Sequence, residues 1–181
     1  MSEGELLQMA KARTLDITED LYYEVIRQKT ASLIASCCAV GAASANADAE
    51  TVAKMKDFGL NVGMAFQIKD DLFDYGPDEI GKPTGIDIKE KKMTLPLIHA
   101  LQQANGSTKR RIKGIVKSNS KNQKKINEVI SFVKSHGGIE YSQKVMNEYV
   151  EKAMLIINSF PESDHRNSLA NLVQFTIERT K

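Results

Sequence analysis

Tryptophan is absent, cysteine occurs twice and proline four times in 181 residues, and no stretch alternates apolar and polar residues in the manner of a half-buried strand. The two cysteines, Cys37 and Cys38, are adjacent. Neighbouring side chains on a helix diverge, so they do not suit a disulfide, and a reduced, cytoplasmic setting is expected. No apolar run approaches the roughly 18 residues of a membrane span, and no basic-then-apolar leader opens the chain, so stable membrane insertion is not expected. Net charge is only +2. Eight Lys or Arg fall between Lys109 and Lys125 without an acid, but no aromatic is interleaved among them. That run reads as a solvated face, and no nucleic-acid partner is expected.

What the sequence does contain is a succession of helical patterns. A short amphipathic segment carries Leu6, Leu7 and Met9. A longer one, from Asp16 to Val40, begins with Asp16 three residues before Glu19, the spacing of a capping box. Its apolar residues recur at Ile17, Leu21, Val25, Leu33, Ile34, Cys37 and Cys38. A Gly/Ala/Ser/Asn connector at 41–47 leads to a third helix of roughly 25 residues ending near Tyr75. Gly59 and Gly63, one turn apart, form a stripe that admits a close neighbour. Residues 76–93 form the one long irregular stretch, and Thr94 with Pro96 marks the next helix start. Further helices are expected at about 108–118, 122–135, 139–159 and 164–179. With no repeat and no linker, the fold class is all-α.

One helical face breaks the apolar rhythm. In "GMAFQIKDDLFDYG", Gln67, Asp70, Asp71 and Asp74 lie at offsets 0, 3, 4 and 7 and share one side of the helix. Carboxylates near a helix C-terminus face the negative end of its dipole, and like charges one turn apart repel. Lys69 points to another side. A hard divalent cation compensates better, since Mg²⁺ takes oxygen ligands and shares them between one or two carboxylates and substrate phosphates. The loop that follows supplies Lys82, Lys91 and Lys92 beside glycines, which suits a metal–diphosphate site. A solvated acidic helix end is the other reading of the same residues. Taken alone, Lys29 reads as a surface lysine, Thr30 as a hydroxyl bonded to its own helix, Gln67 as a buried amide and Lys82 as a loop residue.

The ordered series Phe66-Gln67-x-x-Asp70-Asp71-x-x-Asp74, then Gly81-Lys82-x-x-Gly85-x-Asp87, then Lys92-x-Thr94-Leu95-Pro96, resembles the second aspartate-rich region of the trans-isoprenyl diphosphate synthases, or polyprenyl synthetases. "EGELLQ" at 3–8, Lys29-Thr30 and the C-terminal "NLVQFTIERTK" extend the likeness over essentially the whole chain. The resemblance implies the isoprenoid synthase helical bundle. It implies Mg²⁺-assisted, head-to-tail condensation of an allylic diphosphate with isopentenyl diphosphate, and either a homodimer or a missing N-terminal half as partner. It implies that Asp70 ligates Mg²⁺ directly, with Asp71 and Asp74 holding metal waters or orienting it. Lys29, Lys82 and Lys92 would bind the allylic diphosphate, while Thr30 and Gln67 would turn oxygens toward the developing carbocation.

The sequence departs from the family pattern in two respects. Lys91 stands where the family carries glycine, a harmless exchange only where the backbone does not need positive φ. The family also has two aspartate-rich motifs on facing helices, and here there is one. Residues 1–181 are therefore expected to form a single partial domain, the C-terminal half of such an enzyme, with little activity alone and with bare apolar faces that a partner would cover. A non-catalytic or regulatory subunit that depends on a partner chain is the alternative. Product chain length is not legible.

Overall fold

In the computed structural model, residues 15, 17–76, 84–118 and 122–179 are described, and among them the secondary structure is entirely helical. Helix α1 (Glu19–Ile26) is capped by the Thr18 side chain, which accepts from the Leu21 N–H. The cap expected at Asp16 lies outside the described residues, and Thr18 takes that part. A widened π-helical turn (Arg27–Ala31) connects α1 to α2 (Ser32–Ser44). The helix thus runs through most of the expected connector, and Asp48 caps α3 (Ala49–Phe73) by accepting from the Thr51 N–H. A short helix α4 (Ile86–Lys89) interrupts the stretch expected to be irregular. Then follow α5 (Leu95–Gln103), α6 (Gly106–Ser118), α7 (Gln123–Ser135), α8 (Gly138–Asn158) and α9 (Asp164–Glu178).

The π turn corrects the apolar stripe read from the sequence. Buried positions advance from Tyr22 to Ile26, then to Ala31 and Ala35, so one interval is a residue longer than its neighbours. The wide turn absorbs that residue. It swings the small side chains of Ala31 and Ala35 inward, and leaves Leu33 and Cys37, two members of the apolar series, facing out.

Helix α3 is the spine, packing against both α2 and α8. Its glycines make the first of these contacts possible. A Cβ on Gly63 would lie 2.5 Å from the Ala31 Cα, and one on Gly59 would lie 2.8 Å from the Ile34 carbonyl oxygen. Ile68 on α3, Leu97 on α5, Val129 and Val133 on α7 and Ile157 on α8 fill the core. Apolar side chains also remain bare: Leu33 and Val40 on α2, Leu155 on α8, and Leu172 and Phe175 on α9. No helix among the described residues is long and apolar enough to cross a membrane.

The turn after α4 answers the question posed by Lys91. Its φ is +60°, in the left-handed region, so the exchange for lysine is not free. Lys91→Gly is expected to stabilise the chain by about 1 kcal/mol. An increased denaturant midpoint at constant m-value is the check; an unchanged midpoint would mean that the turn carries no strain.

Candidate active site

Helices α1, α3 and α4 and the start of α5 enclose a cleft of about 280 Å³. Its polar lining includes Lys29, Gln67, Asp70, Asp71, Asp74, Asp87 and Lys92, and Val25, Ile26 and Met93 supply an apolar side. Six of the eight residues singled out in the sequence therefore meet here. Thr30 joins through Gln67, and Lys82 lies outside the described residues.

Each aspartate has a separate partner, which is why a fold tolerates three in a row. Asp71 is buried and accepts from the Tyr22 hydroxyl at 2.7 Å and from the Gln67 amide at 3.1 Å. Gln67 accepts in turn from the Thr30 hydroxyl at 2.8 Å, across the α2–α3 seam that Gly63 keeps narrow. The result is a chain from Thr30 to Gln67 to Asp71, closed by Tyr22. Thr30 does not bond back to its own helix, and the oxygens of Thr30 and Gln67 face each other.

Asp74 ends α3 and begins α4. Its carboxylate accepts from the Ile86 N–H at 2.7 Å and from the Asp87 N–H at 3.2 Å, so the positive end of a new helix offsets the negative end of the old one. Asp70 pairs with Arg179, whose guanidinium lies 2.5 Å from Oδ1. That partner, 109 residues away, is the compensation that Lys69 could not give. Lys69 instead sits over the Phe73 ring.

Burial, reinforced by the nearby charge of Asp87, pushes the Asp71 carboxyl up to about 7, against the lowering effect of its two hydrogen bonds. The same two causes raise Asp74 to about 6, opposed by backbone N–H groups. Burial also raises the Tyr22 hydroxyl well above its usual range, with Asp71 adding to it, so Tyr22 stays a donor. Burial disfavours the charge on Lys92, but Glu90 and Asp87 outweigh it and hold its pKa above the ordinary lysine value.

The sequence alone assigns no site role to Asp87, Tyr22 or Arg179. Asp87 closes the Gly85-x-Asp87 pattern, and it both faces the cleft and bonds Lys92 at 3.0 Å. Tyr22 lies at a core position of α1, and nothing in its surroundings in sequence announces a hydroxyl aimed at a carboxylate. Arg179 belongs to the C-terminal "IERTK" of the likeness, where only the stretch as a whole was legible.

The sequence profile of the polyprenyl synthetase family matches residues 1–133. The chain belongs to the polyprenyl synthetase family. Among its relatives, a short chain isoprenyl diphosphate synthase of Methanothermobacter thermautotrophicus is 37% identical over 179 residues, covering 98% of this chain and 54% of that protein. A decaprenyl diphosphate synthase structure from Rhodobacter capsulatus superposes with a TM-score of 0.90 at 33% identity, over 99% of this chain and 56% of the other. A polyprenyl synthase from Caulobacter crescentus, solved with calcium and isoprenyl diphosphate, gives 0.90 at 31% identity with the same coverage. The polyprenyl synthetase chain described above thus spans about half the length of the relatives it matches, and its all-helical fold is theirs.

Proposed function

We propose that this chain forms the diphosphate-holding wall of a trans-prenyltransferase, which joins an allylic diphosphate to isopentenyl diphosphate with the help of Mg²⁺. The observation that carries this reading is the meeting of Asp70, Asp71, Asp74 and Asp87 with Lys29 and Lys92 around one cleft that also has an apolar side. The Caulobacter crescentus relative, solved with a divalent cation and an isoprenyl diphosphate, supports it.

The donor set suits Mg²⁺ in one specific manner. Among the described residues no three His, Cys, Asp or Glu side chains gather closely enough to hold an ion by themselves. Mg²⁺ takes one or two carboxylates and completes its shell with substrate phosphates and water, so a full cage of protein ligands is not required. Asp70, with a side chain 38% exposed, is the proposed direct ligand, while the buried Asp71 and Asp74 orient it and bond its waters. When bound, Mg²⁺ neutralises the diphosphate so that it can leave.

The chain's own residues supply the rest of the proposed chemistry. Lys29 and Lys82 bind the allylic diphosphate, and Lys92, anchored by Asp87, adds positive charge at the cleft's edge. Gln67, held from behind by the Thr30 hydroxyl, sets a fixed dipole beside the carbon skeleton, where it stabilises a developing cation without capturing it. Val25, Ile26 and Met93 exclude water from it.

Calorimetric titration of geranyl diphosphate into the chain tests the reading. Binding is expected with Mg²⁺ and not with EDTA, and Asp70→Ala is expected to weaken it by about tenfold or more. Affinity indifferent both to Mg²⁺ and to Asp70 would overturn the proposal.

A further inference from the structure

The Asp70–Arg179 pair is a cation already seated on the carboxylate proposed to take a metal. One guanidinium nitrogen of Arg179 contacts one oxygen of Asp70 at 2.5 Å, and the pair is not a two-pronged fork. The rest of the guanidinium is held by other groups. Its Nε donates to the Thr176 carbonyl at 3.1 Å, and its Cζ lies 4.1 Å from the Phe66 ring centroid and 5.4 Å from that of Phe73. The Arg179 side chain is only 15% exposed.

We propose that Arg179 is a displaceable counter-cation of Asp70, which neutralises the carboxylate until a divalent cation takes its place. This inference rests on the reading of Asp70 as a direct ligand. Two features of the geometry carry it. First, a row of carboxylates without metal needs positive charge, and Arg179 delivers it to Asp70, the most open of the three. Second, Arg179 loses little on release. The two aromatic rings and the Thr176 carbonyl form a cradle that does not include Asp70, so the guanidinium has a desolvated cation–π seat to keep. Arg179 would then be a positioning residue that sets how readily metal enters.

Mn²⁺ alone, followed as free ion by electron paramagnetic resonance with the 181-residue chain and no diphosphate, separates the possibilities. Arg179→Gln removes the competitor and is expected to bind Mn²⁺ about tenfold tighter than the unsubstituted chain, a factor in keeping with the loss of one charge-assisted hydrogen bond. Arg179→Lys keeps a charge but loses the guanidinium's contacts with the two rings and the Thr176 carbonyl, and is expected to fall between the two. It also decides the matter where Arg179→Gln does not fold. Asp70→Asn is expected to weaken Mn²⁺ binding. Unchanged or weaker binding in both Arg179 variants, with Asp70→Asn still impaired, would overturn the latch and leave the ligand assignment standing. Mn²⁺ affinity untouched by Asp70→Asn, or no binding in any of the chains, would remove the ligand assignment and the latch together.

Discussion

Replacing Gly63 with alanine is expected to cost about 3 kcal/mol of stability, the upper end of what one extra methyl does in a packed interior. The cost is high because the new Cβ would sit 2.5 Å from a backbone atom, the Ala31 Cα, and 2.9 Å from its Cβ. A flexible side-chain tip can rotate away from such a contact, whereas a helix backbone must move as a whole. Moving α2 outward also stretches the Thr30–Gln67 hydrogen bond, which lies one turn along the same seam. Gly63→Ala should therefore lower the denaturant midpoint and weaken the proposed Mg²⁺-dependent diphosphate binding together. Gly114→Ala is the control: nothing lies within 4 Å of its added Cβ, and helix propensity alone should stabilise it by about 0.5–1 kcal/mol. Equal midpoints for the two variants would show that the α2–α3 seam is not sterically closed.

A second large effect concerns pH. Metal-free thermal stability is expected to fall as pH rises from about 4 to 7, with Asp71 as the main cause. In the folded chain the Asp71 carboxyl keeps its proton up to about 7, whereas in the unfolded chain it releases it near 3.8. Within that window the folded state binds more protons, so raising the pH favours unfolding. Asp74 acts in the same direction up to about 6. Shifts of this size are worth a few kcal/mol, and a domain of this length loses roughly 2–4 °C of Tm per kcal/mol, so the fall from pH 5 to 8 is on the order of 5–10 °C. Asp71→Asn should flatten the profile. Saturating Mg²⁺ and diphosphate should do so too, because ligation calls for the ionised carboxylates and binding then releases protons. Tm measured in unit steps of pH decides it: a profile that rises over the same interval would mean that Asp71 is ionised in the free fold.

The helices and the acidic face were legible because each leaves a local, periodic trace. Positions 67, 70, 71 and 74 share a helix side in any α-helix, and the terminations at 118, 135 and 158 fall where turn residues demand them. Three kinds of information leave no such trace. The π turn is a departure from the very period used to read the helix, so the apolar series does not reveal that Leu33 and Cys37 face out. Pairings across the bundle, Asp70 with Arg179 and Asp71 with Tyr22, depend on which helices become neighbours. Backbone conformation at single residues is likewise silent, as Lys91 at φ +60° demonstrates, although the glycine expected there was the hint.

The extra residue in the turn at Arg27–Ala31 gears two tasks to each other. Ahead of it, α1 aims Tyr22, Val25 and Ile26 at the acidic cleft; behind it, Ala31 at the end of the turn and Ala35 on α2 mesh with the glycines of α3. One residue of an α-helix turns the rod by about 100°. An unbroken α-helix could therefore keep either the cleft or the seam in phase, and the widened turn is the clutch that lets this rod serve both.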